Sequence, residues 1–97
     1  MRYALHPEAA QDLRDAAEFY RAHAGIALSQ SFFGEFERAV SLLLEHPQLG
    51  GLWRRGKRRY PMKRFPYFLI YVVSGEEIRI LAVAHYGRRP GYWRSRK

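Results

Sequence analysis

The 97-residue chain, 47% hydrophobic and 15% aromatic, is long enough for one compact domain but too short for a second core. It contains no cysteine, which excludes disulfides and thiolate metal sites and makes a reducing cytoplasm the expected compartment. The formal net charge of +8 belongs to the second half, because residues 1–50 carry 4 Lys/Arg against 7 Asp/Glu, whereas residues 51–97 carry 13 against 2.

The first half of the chain predicts a short strand and two helices. Residues 2–5 form the strand, and Pro7 suits the first turn of a helix, where its missing amide would have no partner. Apolar residues then recur at helical spacing up to Gly25, which can take the left-handed conformation that ends a helix. The polar residues expected on the outer surface of this helix are Glu8, Asp12, Asp15 and Arg21. A second helix at about 26–45 ends before Pro47, so that the two helices form an antiparallel hairpin.

The second half changes to an alternating hydrophobic period, which indicates strands. Residues 58–65 predict a strand weakened by Pro61, which cannot donate to the hydrogen-bond ladder. Residues 67–73 are apolar on both alternating sets and therefore predict a central strand. A turn at residues 74–77 leads from it into a last strand at 78–84.

Together these elements predict an α+β fold with the order β-α-α-β-β-β, in which an antiparallel sheet carries the helical hairpin on one face. We expect a single domain over residues 1–97, with the hairpin at about 7–46, the sheet at about 52–85 and a basic tail at 86–97. The other face of the sheet is expected to be open and concave, and its strand residues belong to the basic, aromatic half of the chain.

Basic and aromatic residues alternate in the second half. Three basic clusters, within residues 54–59, 63–64 and 88–97, are interleaved with aromatic residues such as Trp53 and Tyr86. Arginine makes bidentate contacts to phosphate, and aromatic rings offer stacking surfaces to bases. The combination predicts a face that attracts RNA, DNA or an acidic protein segment, with an attraction that weakens in salt. The alternative is an ordinary solvated surface, although such surfaces usually mix both signs of charge.

Candidate catalytic residues lie where the last predicted strand ends. Cleavage of RNA without a metal needs a proton acceptor, a proton donor and cations for the phosphate, and His85, Tyr86 and Arg88 are residues of these types. The alternative role for His85 is to anchor the tail by a hydrogen bond. The four histidines are far apart in sequence and have no cysteine or acidic cluster beside them, so we expect neither a metal site nor a cofactor.

Membrane insertion and sequence-specific DNA binding are not supported by the sequence. The longest apolar run, residues 65–73, is far shorter than the roughly 20 residues needed to span a bilayer, and no stretch resembles a signal peptide. The two helices form a core hairpin and carry no helix-turn-helix signature. We therefore expect a soluble cytoplasmic protein that does not by itself recognise a DNA sequence.

Several short motifs, in their order and spacing, resemble toxins of the RelE/ParE superfamily over nearly the whole chain. The motifs are Glu8 to Leu13 with Phe19-Tyr20, Pro47 with Gly50, Arg58-Arg59, Phe65-Pro66-Tyr67 before Ile70-Tyr71, Ile80 to His85, and Arg88-Arg89-Pro90 with Tyr92-Trp93-Arg94. The motif that begins at Phe65 and the motifs that follow His85 resemble the ParE branch of the superfamily more closely than the RelE branch. The chain also lacks a central glutamate base, which RNA-cleaving relatives would use.

The resemblance implies the toxin of a type II toxin–antitoxin, plasmid-stabilisation-like module that inhibits bacterial DNA gyrase. It also implies a cognate acidic antitoxin, which would fold across the open sheet face and the helical hairpin. The alternative is a RelE-like, ribosome-dependent and metal-independent mRNA endonuclease, in which His85, Tyr86 and Arg88 would be catalytic. The residues expected to contact the target or the antitoxin are Arg58, Arg59, Lys63, Arg64, Arg88, Arg89, Tyr92, Trp93 and Arg94.

Overall fold

The computed structural model describes residues 1–87 and 91–97 and has the predicted order of a strand, two helices and a sheet. The elements are β1 (Arg2–Leu5), α1 (Pro7–Ala24), α2 (Ile26–Glu45), β2 (Gly51–Leu52), β3 (Arg58–Pro61), β4 (Tyr67–Ser74) and β5 (Glu77–His85). A short 3-10 turn at Arg54–Gly56 joins β2 to β3. The α+β architecture is confirmed, with the two-residue strand β2 as an addition. No helix in the described ranges combines the length and hydropathy needed to cross a bilayer.

The helical hairpin begins and ends at the residues that the sequence indicated. Pro7 occupies the first helical position of α1, and Nδ1 of His6 accepts a hydrogen bond of 3.0 Å from the amide of Glu8, which caps the helix. Gly25 has a φ of 96°, a conformation that other residues rarely adopt, and it separates the two helices. The turn is a single residue, so α1 and α2 pack directly against each other.

The five-stranded sheet has the order β1-β5-β4-β3-β2, with β1 at one edge. Strands β2 to β5 are antiparallel neighbours, as predicted, because short connections join them. β1 instead pairs with β5 in parallel, from Arg2 opposite Glu77 to Leu5 opposite Ile80, so the sheet as a whole is mixed rather than antiparallel. The helical hairpin and three strands separate β1 from β5 along the chain, so no hairpin turn dictates their relative direction.

The strand predicted at residues 58–65 is shorter in the structure and ends at Pro61. Proline has no amide hydrogen to continue the ladder, and Arg64 then adopts a φ of 70°, which is incompatible with an extended strand. β4 and β5 pair along their whole length, but the register shifts after Ile70, so that Leu81 of β5 has no partner opposite it. This bulge changes which β5 residues face the helices.

The main core lies between the helical hairpin and one face of the sheet. Its largest fully buried side chains include Phe32 and Leu43 of α2, Leu69 and Tyr71 of β4, and Ile80 of β5. Burial of each such side chain contributes about 1.5–3 kcal/mol to the free energy of unfolding. Apolar packing on this face therefore holds the helices against the sheet.

The opposite face of the sheet is partly covered, which corrects the prediction that it is open. Trp93 of the tail is 4% exposed and packs against Ile70, Ala82 and Ala84. Alanine side chains are small enough to let an indole ring approach the strand closely, and the packed ring removes a large apolar area from water. Trp93, in the described part of the tail at residues 91–97, is therefore part of the fold.

Candidate functional site

A row of aromatic rings and guanidinium groups crosses the sheet on the face opposite the helices. Trp93 and Trp53 lie 5.0 Å apart between ring centroids, and the guanidinium of Arg59 lies 5.4 Å from the Trp53 ring and 4.7 Å from the Phe68 ring. The row continues to Tyr86, whose ring centroid is 4.3 Å from that of Phe68. We call this surface, made of Trp53, Arg59, Phe68, Tyr86 and Trp93, the Trp53 face.

A pocket at one end of the Trp53 face carries several positive charges. It is lined by Trp53, Trp93 and Gly91 and by the cations Arg54, Arg55, Lys57 and Arg94. Arg54 also stacks on Trp53, with its guanidinium 5.2 Å from the ring centroid. Within residues 1–87 and 91–97, none of the four cations forms an ion pair with a carboxylate. We call this site the Trp53 pocket; its positive charge is available to an external anion.

Arg58, which was predicted as a contact residue, is partly buried and holds a loop of the protein. Its Nη1 donates to the carbonyl oxygens of Gly50 at 2.9 Å and Gln48 at 3.2 Å. The adjacent Arg59 lies on the Trp53 face and is exposed. The two neighbouring arginines therefore have different surroundings, as expected for consecutive residues of a strand.

Lys63 and Arg64 lie in the connection between β3 and β4 and are exposed. A hydrogen bond from Arg38 is the main cause that lowers the pKa of Glu35 on α2, and the charges of Arg64 and Lys63 lower it further. Both cations are thus close enough to α2 to act on its carboxylate. They lie near the helical hairpin, apart from the Trp53 pocket.

The candidate catalytic residues His85 and Tyr86 face opposite sides of the sheet. The His85 ring packs edge-on against Tyr67, which belongs to the main core, with centroids 5.1 Å apart, whereas Tyr86 packs on Phe68. His85 lines a groove with Asp12, Asp15, Phe19 and Tyr92. Its Nδ1 accepts a hydrogen bond of 2.9 Å from the amide of Gly87, an anchoring contact within the start of the tail. Arg88 and Arg89 lie outside the described residues.

A buried ion pair that the sequence did not reveal joins the tail to α1. Nη1 of Arg96 lies 2.6 Å from Oδ2 of Asp12 and also donates to the carbonyl oxygen of Leu81 at 3.0 Å. The amide of Val83 donates to the same Asp12 oxygen at 3.1 Å. Asp12 was expected on the outer surface of the helix; its side chain is instead 11% exposed, because Arg96 covers it.

The environment of Arg96 favours its charged form. Burial lowers the pKa of Arg96, but the hydrogen bond and charge of Asp12 outweigh burial, so that the pKa is raised above its ordinary value. The charges of Tyr92 and Glu8 raise the pKa of Arg96 as well. The Tyr92 ring centroid lies 5.1 Å from the guanidinium. Tyr92 and Arg96 therefore stabilise the fold of the tail. The only sequence signal for this role is that Asp12 directly precedes the buried Leu13, at the border of the apolar stripe of α1.

Known proteins resemble the chain both in sequence and in fold. A family model described as "ParE toxin of type II toxin-antitoxin system, parDE" matches residues 3–90. Among solved structures, a chain described as "Chromosomal ParDE TA system from P. aeruginosa" matches with a TM-score of 0.78 and 23% sequence identity, covering 88% of this chain and 95% of that chain. At this level of identity the structural likeness concerns the fold. No curated protein sequence matches the chain.

Proposed function

The chain belongs to the ParE toxin family of type II toxin–antitoxin systems, and from this premise we propose that it inhibits bacterial DNA gyrase by binding, without cleaving nucleic acid. Membership of the family implies a cognate antitoxin that neutralises the toxin. The proposal concerns the target of the toxin and the residues that contact it.

The divergence of His85 and Tyr86 carries the proposal. Metal-independent cleavage of RNA requires an acid and a base that both reach the reacting phosphate, at about hydrogen-bond distance. His85 packs on Tyr67 on the side of the helices, whereas Tyr86 packs on Phe68 on the other side of the sheet. The two residues do not converge on one phosphate, which favours inhibition by binding over catalysis.

The Trp53 face is the proposed contact surface for the target. Arg59 and Arg94 are exposed, and both lie beside aromatic rings that provide rigid apolar area. Arginine and aromatic residues are the types that contribute most to binding energy at protein interfaces. Trp93 is buried and supports this surface from below, while Arg88, Arg89 and Tyr92 belong to the same tail.

The antitoxin is proposed to bind nearer the helical hairpin. Lys63 and Arg64 present positive charge beside α2, and apolar side chains exposed on the hairpin include Phe19 and Phe33, which are 53% and 38% exposed. An acidic amphipathic segment could use both features, since helix-in-groove binding combines apolar anchors with charge pairing. Arg58 holds the loop that contains Gln48 and Gly50, so its proposed part in binding is to keep that loop in place.

A gyrase supercoiling assay with the purified toxin tests the proposal. We expect inhibition together with trapped gyrase–DNA cleavage complexes, and we expect Arg59→Gln combined with Arg94→Gln to weaken it about tenfold or more, as loss of two central contacts does. Arg14→Gln combined with Arg21→Gln removes the same charge from α1 and serves as the matched control. If the toxin left the supercoiling activity of gyrases from several bacteria unchanged, the proposed target would be refuted. Cleavage of ribosome-bound mRNA by the same preparation would assign the toxin to the nuclease class.

A further inference from the structure

The Trp53 pocket concentrates positive charge that the fold does not use. Arg54, Arg55, Lys57 and Arg94 line it around two indole rings, and no carboxylate among the described residues pairs with any of them. By contrast, Arg96, which lies in the tail with Arg94, is buried against Asp12. The pocket cations repel one another, which destabilises the free protein and favours an anionic ligand.

The backbone of Arg55 is a second observation that points to a ligand. Its φ of 56° places an arginine in the left-handed region, which is unfavourable for a residue with a long side chain. The side chain lines the pocket together with Arg54 and Lys57 on either side of it in the turn. Unfavourable backbone conformations cluster at binding sites, where they direct side chains toward a ligand.

We propose that the Trp53 pocket binds phosphate groups of single-stranded nucleic acid and that the Trp53 face guides the strand without reading its sequence. Guanidinium groups recognise the phosphodiester oxygens, and exposed aromatic rings accept bases of any kind. Arg59 connects the pocket to Phe68, and Tyr86, which packs on Phe68, is 49% exposed and offers ring surface for a base. Charge and stacking surface thus form a continuous track from the pocket to Tyr86.

A nucleic acid fits this track better than an acidic protein segment does. An acidic segment that folds on binding needs exposed apolar anchors in its partner. Most exposed apolar side chains lie elsewhere, on the hairpin, in the loop after it and at strand ends, and include Phe19, Ile26, Phe33, Leu49 and Val73. Leu52, which is 68% exposed, directly precedes Trp53 in the chain. The Trp53 pocket offers guanidinium groups around the partly exposed indole of Trp53 instead, which is the combination found in single-strand binding sites.

Intrinsic tryptophan fluorescence measures this binding directly, because the only two tryptophans of the chain, Trp53 and Trp93, both line the pocket. The purified toxin is titrated with a thymidine oligonucleotide of about twelve nucleotides, with a uridine oligonucleotide of the same length, with a DNA duplex and with a polyglutamate peptide. The measurement uses no gyrase and no ribosome, so its outcome is independent of the proposed target.

We expect saturable quenching by both single strands, because they share the phosphodiester backbone. If three phosphates are contacted, the affinity falls roughly 20-fold between about 50 mM and about 200 mM salt. Arg54→Gln combined with Arg55→Asn should weaken binding about tenfold and lower the salt slope, since asparagine tolerates the left-handed backbone. Arg14→Gln combined with Arg21→Gln, which removes equal charge from α1, should bind as the unmodified toxin does. Thermal melts followed by circular dichroism establish that both variants are folded.

Three outcomes would overturn the proposal. The first is the absence of quenching by either single strand at low salt. The second is an equal loss of affinity in the pocket variant and in the control variant, which would indicate diffuse attraction by net charge. The third is tighter binding of the duplex or of polyglutamate, which would assign the pocket to double-stranded DNA or to an acidic protein.

Discussion

Arg96 Nη1 lies 2.6 Å from Asp12 Oδ2, so that the penultimate residue of the chain is bound to the first helix. β1 pairs only with the first part of β5, up to Ile80, and the edge of β5 beyond that point would otherwise be unpaired. Asp12 accepts from the amide of Val83, and Arg96 donates to the carbonyl of Leu81. The ion pair therefore provides hydrogen-bond partners for backbone groups that a neighbouring strand would otherwise bind, and it protects the sheet edge.

Removing one partner of this pair should destabilise the protein strongly. Arg96→Ala leaves the carboxylate of Asp12 buried without its cation, and we expect the free energy of unfolding to fall by about 3–5 kcal/mol. Asp12→Asn combined with Arg96→Met leaves no uncompensated charge and should cost less than the two single changes added together. Urea denaturation of the unmodified protein, of Arg96→Ala, and of Asp12→Asn and Arg96→Met singly and together measures both effects; strict additivity of Asp12→Asn and Arg96→Met would show that the two side chains do not act as a pair.

Gly50 should not tolerate a side chain, because the ring of Tyr71 covers it. A Cβ atom at Gly50 would lie 2.6 Å from the Tyr71 hydroxyl oxygen, whereas a Cβ at Gly51 would meet nothing within 4 Å. We expect Gly50→Ala to lower the free energy of unfolding by about 1–3 kcal/mol through overpacking and Gly51→Ala to change it by less than about 0.5 kcal/mol. Equal melting temperatures of the two variants would contradict the packing described for Gly50.

The hydroxyl of Tyr71 ties the loop after α2 to the sheet. It donates to the carbonyl of Pro47 at 2.8 Å and accepts from the amide of Gly50 at 2.9 Å. Tyr71→Phe keeps the ring but leaves both backbone groups without this partner, at an expected cost of about 1–3 kcal/mol. Chemical denaturation measures this loss. The control is Tyr3→Phe, at a position that is 43% exposed, which should leave the free energy of unfolding unchanged.

Alkaline pH should destabilise the fold through its buried tyrosines. Burial raises the pKa of Tyr67 above its ordinary value of 10.0, and the charge of Tyr20 raises it further. The unfolded chain then releases this proton at a lower pH than the folded chain, so the stabilisation is complete below pH 10.0 and is lost as the pH rises above it. We expect Tyr67→Phe to lose less stability than the unmodified protein in denaturation experiments on either side of that pH. If the free energy of unfolding fell equally with rising pH in the two proteins, the raised pKa of Tyr67 would be contradicted.

His85 and Tyr86 should not be required for toxicity if the toxin acts by binding. His85→Ala removes the hydrogen bond to Gly87, and Tyr86→Phe removes only a hydroxyl, so we expect growth inhibition in an inducible expression strain to persist in both. Catalytic acids and bases typically contribute 10²–10⁴-fold to a rate, so a nuclease would lose its toxicity. Loss of growth inhibition in a variant that still folds and still binds antitoxin would favour the nuclease alternative.

Local sequence signals were sufficient for the order of the elements and for every element except the two-residue strand β2. Pro7 and Gly25 define the ends of α1, because a missing amide and a left-handed backbone act within one turn of helix. The apolar run at residues 67–73 predicted the central strand, and Pro61 marked the weak point at which β3 ends. In the nuclease alternative His85 and Tyr86 would act together. Side chains alternate along a strand, a pattern that the sequence already contains, and His85 and Tyr86 pack on opposite sides of the sheet.

The sequence by itself therefore determined the helical hairpin, the strands and the basic character of the second half, since these depend on neighbouring residues and on composition. Only the tertiary structure decided which charges are free. Arg96 and Arg94 are two residues apart, yet Arg96 is buried on Asp12 and Arg94 lines the Trp53 pocket. Asp12 and Arg96 are 84 positions apart in the chain, and no local pattern encodes a contact of that kind. Packing of Trp93 on Ala82 and Ala84 brings the tail back across the sheet, and this long-range contact places its charges.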